Sequence, residues 1–118
     1  MNEDGDTFIF KIFRLPEWNA AEEVGIFTGS ADDIRDGFLH FSLAEQVRGT
    51  AEKHFPNESE IMLAQVEARA LGASLKWEVS RGGQTFPHLY APLSMSLIQQ
   101  TWRVARKNGQ YVFPNEVP

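Results

Sequence analysis

The chain has no cysteine. That excludes a disulfide framework, cysteine-ligated zinc, iron–sulfur clusters and any thiol nucleophile, and it fits a reducing, cytoplasmic setting. No apolar run approaches the ~18–20 residues of a membrane-spanning helix. The opening MNEDGD carries acids where a signal peptide would carry cations ahead of an apolar segment. Cations are also scarce: 11 Lys and Arg stand against 16 Asp and Glu, for a net charge of −5. Such a balance argues against a nucleic-acid partner, which needs a basic patch to neutralise phosphates. The basic residues that do cluster, in TWRVARKNG at 101–109, read as a solvated hairpin face. Missing too are the phosphate-binding G-x-x-x-x-G-K-[ST] loop, the G-x-G-x-x-G fingerprint and the G-x-S-x-G nucleophile elbow. Their absence removes the commonest ATPase, dinucleotide-fold and hydrolase readings, and RGGQT at 81–85 is only a flexible glycine pair.

What is present suffices for a core. The 118 residues are 42% hydrophobic and 12% aromatic, enough for one domain without metals or disulfides. We expect that domain over residues 7–114, after a short N-terminal tail at 1–6. TFIFKIF at 7–13 reads as a strand, rich in aromatic and β-branched residues. LPEWNAAEE then reads as a helix, with Pro16 in its first turn and Gly25 as its stop. TGSADDIRDG at 28–37 reads as a polar loop, and GFLHF as a short buried strand. A second helix opens after it, with Ser42 and Glu45 in an S-x-x-E capping pattern and Pro56 closing it. EIMLAQVEA at 60–68 reads as a strand buried on both faces, and LKWEVS at 75–80 as one that turns Leu75, Trp77 and Val79 inward. SLIQQTWRVARKNGQYVF forms a hairpin around Asn108-Gly109. The expected class is α+β: five to six mostly antiparallel strands with two short helices.

Two histidines stand out. His40 lies inside an apolar run where an imidazole needs hydrogen-bond partners, at a strand end feeding a helix start. That corner presents free amides and a partial positive charge, which suits an anionic or carbonyl-bearing ligand, and Ser42 lies beside it. The bland reading is a core histidine bonded to a backbone carbonyl. His88 sits in TFPHLYAPL, where Phe86, His88 and Tyr90 would share one side of an extended segment. Such a face stacks on a planar ring, or simply forms a lid over a sheet. Trp77 reads as core, with Glu78 on the opposite face, either solvent-exposed or lining the site. The spacing of His40, His54 and His88 does not describe a zinc set.

Together, GFLHFSLAEQVRGTAEKHF and LKWEVSRGGQTFPHLYAPL resemble the family called domain of unknown function 952. That family pairs an F-[IL]-H-x-S-x-x-x-Q-x-x-x-T block with a W-E block and an F-P-H-[IL]-Y-x-P-L block. The blocks appear here in order, carrying His40, Ser42, Gln46, Trp77, Glu78, Phe86, His88 and Tyr90. Ala91 stands where glycine is usual. The resemblance implies a fold similar to the ADP-ribosyltransferase group, which grips NAD between two small sheets. By that likeness His40 and Ser42 would hold ribose and nicotinamide, making NAD or an ADP-ribose-like compound the implied ligand. The group's catalytic glutamate has no counterpart: Gln99 and Gln100 stand in roughly that region, and glutamine cannot act as the same base. The expectation is therefore a small-molecule cleft walled by His40 and Ser42 on one side and His88 and Tyr90 on the other. The competing expectation is a structural or interaction domain whose histidines tie strands together.

Overall fold

The computed structural model describes residues 7–118; the expected tail at 1–6 lies outside them. Strand β1 (Phe8–Arg14) pairs antiparallel with β4 (Glu60–Glu67), which pairs with β8 (Ile98–Lys107), and β9 (Gln110–Val112) completes a four-stranded sheet. Alternation sends Ile9, Phe13, Met62, Ala64 and Val66 to one face, and Phe10, Ile12, Ile61 and Leu63 to the other. Each face carries its own apolar cluster, so the near-continuous hydrophobicity of β1 and β4 follows from burial on both sides.

Helix α1 (Leu15–Val24) covers the first face. Pro16 sits in its first turn, the Glu17 carboxylate accepts from the Arg14 amide at 3.0 Å, and Gly25 ends it at φ 93°. Trp18 packs edge-on against Phe13, as does Phe27 of the short strand β2 (Ile26–Phe27). Helix α3 (Ala44–His54) covers the second face through Val47 and Ala51. Its start corrects the sequence reading. The N-cap is Leu43, and the Gln46 side chain accepts from the Leu43 amide at 2.9 Å, so the cap begins one residue later than S-x-x-E suggests. Ser42 is already committed: its backbone bridges to Phe10 in both directions, at 2.8 and 2.9 Å.

That bridge joins the large sheet to a second one of order β3-β6-β5, built from β3 (Leu39–His40), β6 (Thr85–Leu89) and β5 (Leu75–Val79). Strand β7 (Leu93–Ser94) pairs with β2. The architecture is thus α+β with antiparallel pairing, but the described residues form nine strands in three sheets and three α-helices. The surplus strands are β2 and β7, two-residue pairings that leave no periodicity to read, and β6, whose run is punctuated by Pro87. The surplus helix, α2 (Ala31–Asp36), occupies the stretch read as a loop. A reciprocal cap creates it: Ser30 Oγ accepts from the Asp33 amide at 3.1 Å, and the Asp33 carboxylate accepts from the Ser30 amide at 3.0 Å.

Strand β5 brings a second correction. It is the outer strand of its sheet, so only Leu75 reaches the core, while Trp77 is 37% and Val79 72% exposed. Both arginines of β8 are spent within the fold, while Lys107 is exposed: Arg106 donates to the carbonyls of Phe55, Glu58 and Gly109, and Arg103 pairs with Glu60.

The β8–β9 turn has Asn108 at φ 52° and Gly109 at φ 82°, a type I′ hairpin as its sequence demands. Gly109→Ala places a Cβ in the left-handed region and is expected to destabilise the protein by about 1 kcal/mol. The denaturation midpoint should fall without a change in the slope of the transition.

Candidate functional site

His40 and His88 are register partners across β3 and β6, with ring centroids 5.7 Å apart. Phe38 lies against both, stacked on His88 at 3.9 Å and tilted toward His40 at 4.6 Å. Both imidazoles line a cleft of about 120 Å³ between β1 and the small sheet, flanked by α2 and α3.

Each histidine is held by carboxylates. His40 Nδ1 lies 2.6 Å from Asp33 Oδ1, and its Nε2 lies 2.9 Å from Asp36 Oδ2. Both bonds form together when each ring nitrogen carries a proton. His88 Nδ1 lies 2.7 Å from Glu78 Oε1, which also accepts from the Tyr90 hydroxyl at 2.7 Å. The hydrogen bonds from His88 and Tyr90 hold the Glu78 carboxyl below its ordinary range, and the same contact raises the Tyr90 phenol.

Beneath His40 lies a buried ion pair. Lys11 stands between Ile9 and Phe13 on the core-facing side of β1, and its ammonium donates to both Asp33 oxygens, at 3.0 and 3.3 Å, and to the His40 carbonyl at 2.9 Å. Phe27 and Phe41 flank it at 5.6 and 5.9 Å. Burial pulls the Lys11 ammonium below its ordinary value against the attraction of Asp33. Burial alone would raise the Asp33 carboxyl; the bond from His40, the charge of Lys11 and the Ser30 amide outweigh it and hold Asp33 far below the usual carboxylate range. One carboxylate, 2% exposed, therefore organises the Ser30 cap, the His40 ring and amide, and the Lys11 charge.

The other anticipated residues divide. Ser42 and Phe86 line the cleft with the histidines, and Ser42 Oγ donates to Thr50 Oγ1 at 3.2 Å. Tyr90 does not line this cleft, against the expectation that it forms a wall; it lies beside Ala91 and Pro92 in a separate depression and is tied to His88 only through Glu78. Gln46 is no part of the wall: besides capping α3 it donates to the Thr85 carbonyl at 2.9 Å, tying α3 to β6. Trp77 alternates away from Glu78 and lies on the other face of β5. Gln99 and Gln100 are exposed on β8, outside the cleft. Lys11, Asp33, Asp36, Arg35 and Phe38 were not singled out from the sequence. Two signals for them exist: a lysine in the middle of the apolar run FIFKIF, and the S-x-x-D of Ser30 and Asp33.

The residue pattern of the family described as protein of unknown function DUF952 matches residues 12–101, so the chain belongs to that family. A crystal structure of protein CC0527 from Caulobacter crescentus is similar to it, at 45% identity over 90% of this chain and 94% of the other, with a TM-score of 0.86. The solution structure of the same protein gives 44% identity and a TM-score of 0.78 over 88% of this chain and 90% of that one. No curated protein matches the chain.

Proposed function

We propose that the cleft binds a small nucleotide-like ligand, with NAD as the leading compound, and that the protein acts by binding rather than by turnover. The observation that carries this reading is convergence. Two histidines in register, each oriented by a carboxylate, face one cleft together with Ser42. The enclosed space, about 120 Å³, lies near that of a single small ring and well below the ~300–1,000 Å³ of whole drug-sized sites. A nicotinamide ring would enter it while the remainder of the dinucleotide lay along the open side. The likeness to the ADP-ribosyltransferase group supports the same ligand through His40 and Ser42. Turnover is left out because the region of the group's catalytic glutamate carries Gln99 and Gln100, exposed on β8 and outside the cleft.

A second reading has its own support. Both His40 nitrogens are engaged by the protein's own carboxylates, as in a purely structural tie. Titrating the protein with NAD, then ADP-ribose, while recording amide and imidazole NMR signals separates the two. Binding predicts saturable shifts at His40, Ser42 and His88 that vanish in a folded His40→Ala variant. A flat titration at millimolar ligand, with His40→Ala merely less stable, would overturn the ligand reading in favour of the structural one.

A further inference from the structure

We infer that the Asp36 side chain occupies the place of a ligand's carboxylate, and that the cleft takes a small aromatic monocarboxylate whose acid group docks between His40 and Arg35. This rests on the cleft being a ligand site, but not on the ligand being NAD.

The two carboxylates on His40 differ in kind. Asp33 is buried and held from β1, β3 and its own helix cap, so it is part of the framework. Asp36 is the last residue of α2, its side chain is 33% exposed, and Gly37 follows at φ 90°. Its oxygens meet His40 Nε2 at 2.9 Å and the Arg35 guanidinium at 3.0 and 3.3 Å. A planar carboxylate flanked by an imidazole N–H and a two-pronged guanidinium is the arrangement proteins use to recognise carboxylates. Exposed pairs of this sort are weak, so a free acid can displace the internal one.

The neighbouring wall says what the acid is attached to. Arg35, Asp36 and His40 line the same cleft as Phe41, Phe55 and Phe86, whose enclosed volume of about 120 Å³ approaches that of cavities that hold one benzene-sized ring. The other charged groups facing His40 are Asp33 and, beyond it, Lys11; His88 with Glu78 stands across the strand pair; Asp32 shares Arg35. Lys11 and Asp33 balance each other, Glu78 is taken by His88, and Arg14 on the far side of the cleft is taken by Glu17 and Glu58, so exchange falls to Arg35 and His40.

Benzoate and its uncharged analogue benzamide test this by NMR, with the His40 imidazole and Arg35 guanidinium signals as readout. Benzoate should move both signals saturably, and benzamide should bind at least about tenfold more weakly because charge-assisted bonds are the stronger kind. Asp36→Ala, a change at an exposed helix end, should tighten benzoate by up to about fivefold by removing the weak internal competitor. Arg35→Ala should weaken it. Equal binding of benzoate and benzamide, no benzoate shift at His40, or weaker binding in Asp36→Ala would each overturn the inference. NAD shifts without benzoate shifts would do the same while leaving the nucleotide cleft standing. Benzoate shifts without NAD shifts would uphold the inference and remove NAD.

Discussion

Asp33→Ala is expected to destabilise the protein by about 3–5 kcal/mol, the range for breaking a buried ion pair from one side. The substitution leaves the Lys11 ammonium, 4% exposed, among Phe27, Phe41 and the core face of β1, with the His40 carbonyl as its remaining hydrogen-bond acceptor among the described residues. It also removes the acceptor for the Ser30 and His40 amides, so α2 keeps only the Ser30 half of its reciprocal cap and His40 loses the carboxylate on its Nδ1. The double variant Lys11→Met, Asp33→Leu should recover much of the loss, since two apolar side chains can replace a buried pair. Chemical denaturation of Lys11→Met, Asp33→Leu and the double variant gives the coupling directly. Additive losses would mean that the pair is not what holds this corner.

The same carboxylate sets a pH dependence. Folding holds Asp33 below its ordinary value of 3.8, so its contribution is fully present above that pH and is lost as pH falls toward the lowered value. Stability should therefore decline in acid below pH 3.8, and Asp33→Asn should flatten that decline. Asp36 and Glu78 shift in the same direction but are exposed, and add little to the slope.

The second large effect belongs to Phe13. Its ring is 0% exposed and receives the edges of Trp18 at 5.2 Å and Phe27 at 4.7 Å. Phe13→Ala should cost about 3–5 kcal/mol, as large-to-alanine changes in sealed cores do. The loss falls on the packing of α1 and β2 against the large sheet, so hydrogen exchange there should accelerate before it does in α3. Phe13→Leu, which keeps most of the volume, should be much milder. A small effect from Phe13→Ala would mean that the first apolar cluster collapses readily around the gap.

The elements legible in advance were those whose signal is local. Pro16 and Gly25 frame α1, Asn108-Gly109 demands its turn, and unbroken hydrophobicity announces β4 between two covered faces. Trp77 and Val79 misled because alternation shows which residues share a face, not whether anything lies over it. Helix α2 was missed because its six residues are too polar to show a stripe, its only mark being the Ser30–Asp33 cap.

The candidate site divides in the same way. Legible along the chain were the α+β class, the strand–histidine–helix corner at His40, and the placement of His40, Ser42, Phe86 and His88 in two apolar blocks needing polar partners. It took the packed fold to bring His40 and His88 into register, to tie Glu78 and Tyr90 to His88, and to set Lys11 and Asp33 as the buried floor beneath His40. Capping, turn chemistry and periodicity act within a few residues, so the chain displays them as it is read. Lys11, Asp33, His40, Glu78 and His88 come from five separate segments, and the meeting of their charges is set by the packing of two sheets and a short helix around one apolar core.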